Sequence, residues 1–125
     1  MAISFTEREL DILAVLWENG PSTAAEVRER LADPLAYNTV LTMLGILETK
    51  GYVGHVEVGR TFRFHPLVER DAAGASLIDR VVEKVFGGSE DLLLTHLVRD
   101  QKLGKRKLRR LRELLDEHLD DEAER

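Results

Sequence analysis

The sequence predicts a mainly α-helical protein with one small β-hairpin, in which an amino-terminal winged helix-turn-helix precedes a carboxy-terminal helical region. Three observations predict this fold class. Amphipathic helical patterns open the chain, two strand-like segments follow them, and only helical patterns come after Pro66. Three helices and a hairpin within about 65 residues is the element order of a winged helix-turn-helix. We therefore expect a winged-helix domain over residues 1–66 and a helical dimerisation domain over residues 67–125.

Capping boxes mark the starts of the first two helices. In Thr6-Glu-Arg-Glu9 and Thr23-Ala-Ala-Glu26, the hydroxyl and the carboxylate can each accept a hydrogen bond from an otherwise unpaired amide. Asn19-Gly20-Pro21 and Asp33-Pro34 are typical of the ends of these helices. The apolar residues that repeat between these signals are Leu10, Leu13, Ala14 and Trp17 in the first helix and Val27 and Leu31 in the second.

The third helix is expected from about Tyr37 to Lys50, with Gly51 just beyond its end. Its buried face is indicated by apolar residues at i, i+4 and i+7, which are Val40, Leu44 and Leu47. Its first turns carry short polar or aromatic side chains where a solvated face would carry Glu, Lys or Arg, and these are Tyr37, Asn38, Thr39 and Thr42.

Two interpretations fit these polar residues. They could cap and start the helix, a role for which Asn and Thr are well suited. They could also contact DNA, because the second helix of a helix-turn-helix presents its amino-terminal residues to base edges in the major groove. Asn pairs with adenine, a Thr hydroxyl bonds several base edges, and Tyr37 could reach a phosphate. The hairpin that follows favours the second interpretation.

The hairpin is predicted from two strands, at residues 52–58 and 61–65, around a turn at Gly59-Arg60. Arg60 lies at the tip, and Phe62 and Phe64 share one face. The net charge of −5 argues against a nucleic-acid binder, but local charge matters more for phosphate contacts. Over residues 37–64 three cations oppose two carboxylates. We expect DNA contacts from Tyr37, Asn38, Thr39, Thr42, Lys50, Arg60, Arg63 and Thr23.

The carboxy-terminal half is predicted to contain three helices with narrow apolar faces. They span about residues 72–86, run from Ser89 through Leu97, and include the leucine-rich segment after Lys105, with a frayed tail from Asp120. Such faces are too thin to form a core alone, so a second copy of the chain is the simplest partner. The expected dimer-interface residues are Leu77, Val81, Val85, Leu92, Leu93, Leu97, Leu108, Leu111 and Leu115.

Composition excludes several functions. With no cysteine, the chain has no disulfide, thiolate metal site or thiol nucleophile, which fits a cytoplasmic protein. It has no apolar run of about 18 residues and no signal-peptide pattern. No nucleophile–base pair, phosphate-binding glycine loop or carboxylate dyad appears, so we expect neither an enzyme nor a cofactor. The scattered histidines His55, His65, His96 and His118 do not predict a metal site.

The order and spacing of several segments resemble the BlaI/MecI/CopY (penicillinase repressor) family of bacterial winged-helix repressors over essentially the whole chain. The segments are Thr6-Glu-Arg-Glu-Leu-Asp-Ile-Leu with Leu16-Trp17, Ala36-Tyr-Asn-Thr-Val-Leu-Thr-Met-Leu, Lys50-Gly-Tyr-Val, Gly59-Arg60 with Phe62-Arg-Phe64, and Gly88-Ser89. The resemblance implies a homodimer on a palindromic operator, often with a TACA/TGTA core. By position it assigns base readout to Asn38, Thr39 and Thr42, and wing contacts to Arg60.

The sequence also departs from this family. Gly45 and Ile46 stand where polar or basic residues are common. The resemblance implies a membrane-bound sensor protease or its downstream protease as a partner, but Thr95-His96 replaces the Asn-Phe pair at which members are cut. The paired cysteines of the copper-responsive branch are missing.

Two alternative functions remain on the sequence alone. One is a winged-helix module for protein contact, with Ile46 in an exposed apolar patch, and the other is a ligand- or metal-responsive regulator. The basic run Lys105–Arg112 is open to two interpretations as well. We favour a solvated face paired with the acidic residues that follow it over a contact to flanking DNA.

Overall fold

The computed structural model describes residues 4–100 and 103–124. The elements are α1 (Glu7–Asn19), α2 (Ala24–Arg30), α3 (Tyr37–Thr49), β1 (Val53–Val58), β2 (Thr61–Pro66), α4 (Arg70–Lys84), α5 (Glu90–Thr95), a π-helical stretch (His96–Asp100) and α6 (Lys105–Ala123). Mainly helical architecture with one antiparallel hairpin confirms the predicted fold class. Among the helices so described, none has the length and apolar character that a membrane crossing requires.

Both predicted capping boxes are present. The Thr6 hydroxyl accepts from the Glu9 amide at 3.1 Å, and the Glu9 carboxylate accepts from the Thr6 amide at 2.7 Å. Thr23 and Glu26 form the same pair of bonds at 3.2 and 3.0 Å. These bonds satisfy two of the four free amides at each helix start, which explains why α1 and α2 begin where the sequence predicts.

The hydrophobic core of the amino-terminal half joins all three helices to the base of the hairpin. Its fully buried members come from α1, α2, α3 and β1, and they are Ile12, Leu13, Leu16, Val27, Val40, Leu44, Leu47 and Val53. Burying one such aliphatic side chain stabilises the fold by about 1.5–3 kcal/mol. Because three of these side chains are on α3, their burial fixes the rotation of α3 about its own axis. The face of α3 opposite the core is therefore fixed as the exposed one.

The hairpin is attached to the start of α2. β1 and β2 pair antiparallel with Val58 opposite Thr61, so Gly59 and Arg60 form the turn, as predicted. Gly59 has φ +64°, a backbone conformation that suits glycine. Ser22 and Phe64 exchange two backbone hydrogen bonds of 2.9 and 2.8 Å, which place the hairpin beside α2.

Cα packing divides the chain into one compact unit of residues 1–77 and another of residues 78–125. The division falls inside α4, whereas the domain boundary predicted from the sequence lies after residue 66. The first turn of α4 contacts α1, because the Arg70 guanidinium group lies 3.6 Å from the Glu18 carboxylate and 5.7 Å from the centre of the Trp17 ring, and Ala73 in the same turn is fully buried. In the second unit, Val82 is the one buried hydrophobic residue among those described.

Several predicted helix ends are wrong by a few residues. α2 ends at Arg30 because Leu31 adopts extended backbone, with φ −70° and ψ 130°. α4 begins and ends two residues earlier than predicted. α5 ends at Thr95 and continues as the π-helical stretch, and α6 stays helical through Ala123 where a frayed tail was predicted.

Candidate nucleic-acid interface

The first two turns of α3 expose the polar residues that the sequence analysis selected. Tyr37, Asn38, Thr39 and Thr42 all face solvent, while Val40, Leu44 and Leu47 on the opposite side are 0% exposed. The same helix thus has one side fixed in the core and the other presented outward. A shallow depression on the outward side is lined by Asn38, Thr39, Thr42 and Met43.

Helix capping does not account for these polar residues. The N-cap of α3 is Ala36, and no side chain makes a capping hydrogen bond there. Asn38 and Thr39 lie inside the first turn, one and two positions after its first residue. The Thr42 hydroxyl donates to the Asn38 carbonyl at 2.9 Å, which leaves the hydroxyl oxygen free to accept from another group.

The hairpin tip and the start of α3 line a common groove. The groove lies between α2, α3 and the hairpin, and its walls include Thr23, Tyr37, Leu41, Arg60 and Phe62. Arg60 is exposed at the turn, so its guanidinium group is presented on the side of the protein that also carries Tyr37. Leu41 and Phe62 were not selected from the sequence. Leu41 follows Tyr37 by one helical turn, and that spacing could have identified it.

Lys50, a predicted DNA contact, forms an ion pair with the buried carboxylate of Glu9. Its ammonium nitrogen lies 2.9 Å from each carboxylate oxygen, and the Glu9 side chain is 3% exposed. Burial raises the pKa of Glu9, but hydrogen bonds from Lys50 and from the Thr6 amide and hydroxyl outweigh it, so the pKa lies below its ordinary value. This pair joins the start of α1 to the end of α3.

Arg63 and Thr23, two further predicted DNA contacts, are both bound to Glu26. The Arg63 guanidinium group lies 3.2 Å from the Glu26 carboxylate and donates to the Pro21 carbonyl at 3.3 Å. The pKa of Glu26 is lowered by hydrogen bonds from the Thr23 amide and hydroxyl and by the charges of Arg63 and Arg30. Glu26 therefore connects β2 to α2, a role beyond the capping that its sequence position predicts.

The predicted dimer-interface residues lie on helices of the carboxy-terminal half, and most are exposed. Leu77, Leu93 and Leu111 are half-buried. The others are exposed, with relative accessibilities that range from 36% for Leu108 to 68% for Val85. Further large apolar residues exposed on the helices of this half are Ile78, Leu94, Val98, Leu114 and Leu119. In the basic run, Arg110 pairs with Glu113 at 3.0 Å and with Glu117 at 3.8 Å.

The histidines in the described part of the chain do not converge. No group of three His, Asp or Glu side chains in residues 4–100 and 103–124 is arranged to hold a metal ion. His55 lies 2.6 Å from Glu48 and stacks on Phe62 with ring centroids 4.6 Å apart. This contact supports the hairpin against the end of α3.

Comparisons with known sequences support one family. The profile of the family described as Penicillinase repressor matches residues 5–117. The Penicillinase repressor of Bacillus licheniformis is 22% identical over 115 residues, which cover 90% of each chain. The Transcriptional regulator BlaI of Mycobacterium tuberculosis is 33% identical over 94 residues, which cover 72% of this chain and 68% of that protein.

Solved structures agree with this relationship. The solution structure of the Bacillus licheniformis BlaI monomeric form in complex with the blaP half-operator aligns with a TM-score of 0.50 at 26% identity, over 58% of this chain and 90% of that one. A MarR family protein from Bacillus stearothermophilus shares the fold, with a TM-score of 0.53 at 18% identity over 97% of this chain and 77% of that one. The chain therefore belongs to the penicillinase repressor family, and it is a winged-helix, DNA-binding transcriptional repressor.

Proposed function

We propose that this repressor acts as a homodimer on a palindromic operator. Each copy places the first turns of α3 in a major groove, and Arg60 at the hairpin tip contacts the adjacent backbone or minor groove. The observation that carries this proposal is the exposure of Asn38, Thr39 and Thr42 on α3, directly opposite a fully buried apolar face. A helix-turn-helix reads DNA with these positions.

The chemistry of the exposed residues fits base readout. The Asn38 amide can pair with both N6 and N7 of an adenine, and the Thr42 hydroxyl oxygen can accept a hydrogen bond from a base edge. The outer surface of this part of α3 carries no charged side chain between Tyr37 and Leu47. Long cationic side chains would bind phosphates strongly but would hold the helix away from the bases.

Dimerisation is supported by the exposed apolar residues of α4, α5 and α6. Most of the large apolar side chains described in the second unit are exposed, so burying them would supply a favourable free energy of association. A second copy is a sufficient partner, because the same faces recur on it by symmetry. Each winged-helix domain carries few cations and would bind DNA weakly alone. Linking two of them raises the affinity, because the second domain binds at a high effective concentration once the first is bound.

Gel-shift titrations of the operator test the readout assignment. We expect Asn38→Ala and Thr42→Ala each to weaken operator binding by about 1–3 kcal/mol, roughly 5- to 150-fold, and to leave binding to random duplex nearly unchanged. The DNA to use first is the region upstream of the protein's own coding sequence. Equal losses on operator and random DNA would contradict base readout.

Thr49→Ala is the matched control. The Thr49 hydroxyl donates to the Gly45 carbonyl at 3.0 Å, just as the Thr42 hydroxyl donates to the Asn38 carbonyl. Both substitutions therefore remove the same hydrogen bond from a hydroxyl to the backbone of its own helix. Thr49 lies two turns further along α3, about 10 Å away. We expect this variant to bind the operator like wild type.

The protease partner implied by the family resemblance is also a proposal. The aligned Thr95–His96 bond lies where α5 gives way to the π-helical stretch, and both residues are exposed. Cleavage there would separate α5 from α6, and mass spectrometry of the chain isolated from induced cells tests it. Intact chain after full induction would exclude release by cutting.

A further inference from the structure

We propose that Gly45 sets the specificity of this repressor by letting the middle of α3 approach the bases more closely than any side chain at that position would allow. This inference rests on the placement of α3 in the major groove proposed above. It makes Gly45 a specificity-determining residue although it has no side chain to contact DNA.

Nothing inside the protein requires glycine at residue 45. It lies in the helix without a positive φ, and a Cβ added there would have no atom within 4 Å. Other glycines of this region do have internal reasons. Gly51 has φ +83°, and a Cβ on Gly54 would lie 3.0 Å from Nε2 of His65.

Glycine is also an unfavourable choice in this helix. After proline it is the poorest helix former, because it loses the most backbone freedom on folding. An alanine at residue 45 would fit the space and favour the helix. The chain therefore carries at residue 45 a locally destabilising residue that its own fold does not require.

Gly45 lies on the side of α3 that is proposed to face DNA. Asn38, Thr42 and Gly45 follow one another at helical spacing on the side turned away from Val40, Leu44 and Leu47. Asn38 and Thr42 have short side chains, which reach base edges only if the helix axis lies deep in the groove. A Cβ at residue 45 would project from this outermost line, where the groove floor lies closest to the helix.

The test compares Gly45→Ala with Gly74→Ala in the full-length protein. Gly74 lies in α4, also has no positive φ, and also has open space around an added Cβ. We expect both substitutions to raise the Tm by roughly 2–6 °C, because alanine narrows the unfolded ensemble and favours the helix. Only Gly45→Ala should weaken operator binding, by about tenfold or more, with random duplex affected much less.

The outcomes separate this inference from the proposed function. If wild-type protein shows no preference for the operator over random duplex, the proposed readout by α3 fails. If wild type does discriminate but Gly45→Ala binds the operator as tightly, the close-approach inference is wrong. Equal losses on operator and random duplex would also overturn it, since they would indicate a contact to the DNA backbone rather than an approach to bases.

Discussion

At the scale of single residues, the side chains predicted to contact DNA divide into two groups. Those on the outward side of α3, together with Arg60, are exposed to solvent. Lys50, Arg63 and Thr23 bind carboxylates of their own chain, Lys50 that of Glu9 and the other two residues that of Glu26, and their DNA contacts stay predictions. The sequence identifies the capping carboxylates, because they lie three residues from their threonines. It could not reveal that Lys50 pairs with Glu9, because 41 residues separate them and only the fold brings them together.

Arg60→Ala tests the hairpin contact. We expect it to weaken binding to operator and random duplex alike and to reduce the slope of log Kd against log salt by about 0.9, the change for one lost phosphate contact. Arg63→Ala is the control on the same hairpin, since its guanidinium group is paired with Glu26. An unchanged slope for Arg60→Ala would contradict a backbone contact by the tip.

The Glu9–Lys50 pair predicts a specific acid sensitivity. The pKa of Glu9 is lowered in the folded state. The ionised carboxylate therefore stabilises the folded state fully at pH values above the ordinary pKa of 4.5, and this stabilisation is lost as the pH falls through the lowered pKa. We expect Glu9→Gln to be less stable than wild type by about 1–3 kcal/mol at pH 7. The difference should shrink towards pH 3 in urea unfolding, and a difference that stays constant with pH would contradict the assignment.

At the scale of elements, the winged helix was predictable to within a few residues because local signals mark its boundaries. Two capping boxes, a glycine just after α3 and the Gly59-Arg60 turn each mark a boundary that the structure confirms. The less accurate predictions lie where local signals are weak. The π-helical stretch after Thr95 depends on a shift in hydrogen-bond register, which apolar spacing does not encode.

Thr23→Ala separates helix capping from DNA contact at the start of α2. We expect it to cost about 1 kcal/mol of unfolding free energy, through loss of the bond to the Glu26 amide, and to leave operator binding unchanged. Thr6→Ala removes the equivalent bond from α1 and is its control. If Thr23→Ala alone weakens operator binding, its hydroxyl contacts DNA after all.

At the scale of the whole molecule, an acidic chain with a net charge of −5 must bind a polyanion. Cations near α3 are few, so the proposed dimer would depend for its affinity on base contacts made twice and on the linkage of its two winged-helix domains. Composition alone is a poor predictor of DNA binding here, since the negative net charge argues against it. The arrangement of elements predicted it well, because the order of helices and hairpin identifies the fold that presents α3.

The most direct test is dimethyl sulfate footprinting of the operator, which probes guanine N7 in the major groove. Two reading helices in successive major grooves should protect two clusters of guanines, with centres about 10–10.5 base pairs apart or a multiple of that spacing. Asn38→Ala should lose both clusters together at a fixed protein concentration. A single protected cluster, or bound DNA with unprotected major-groove guanines, would contradict a symmetric pair of recognition helices.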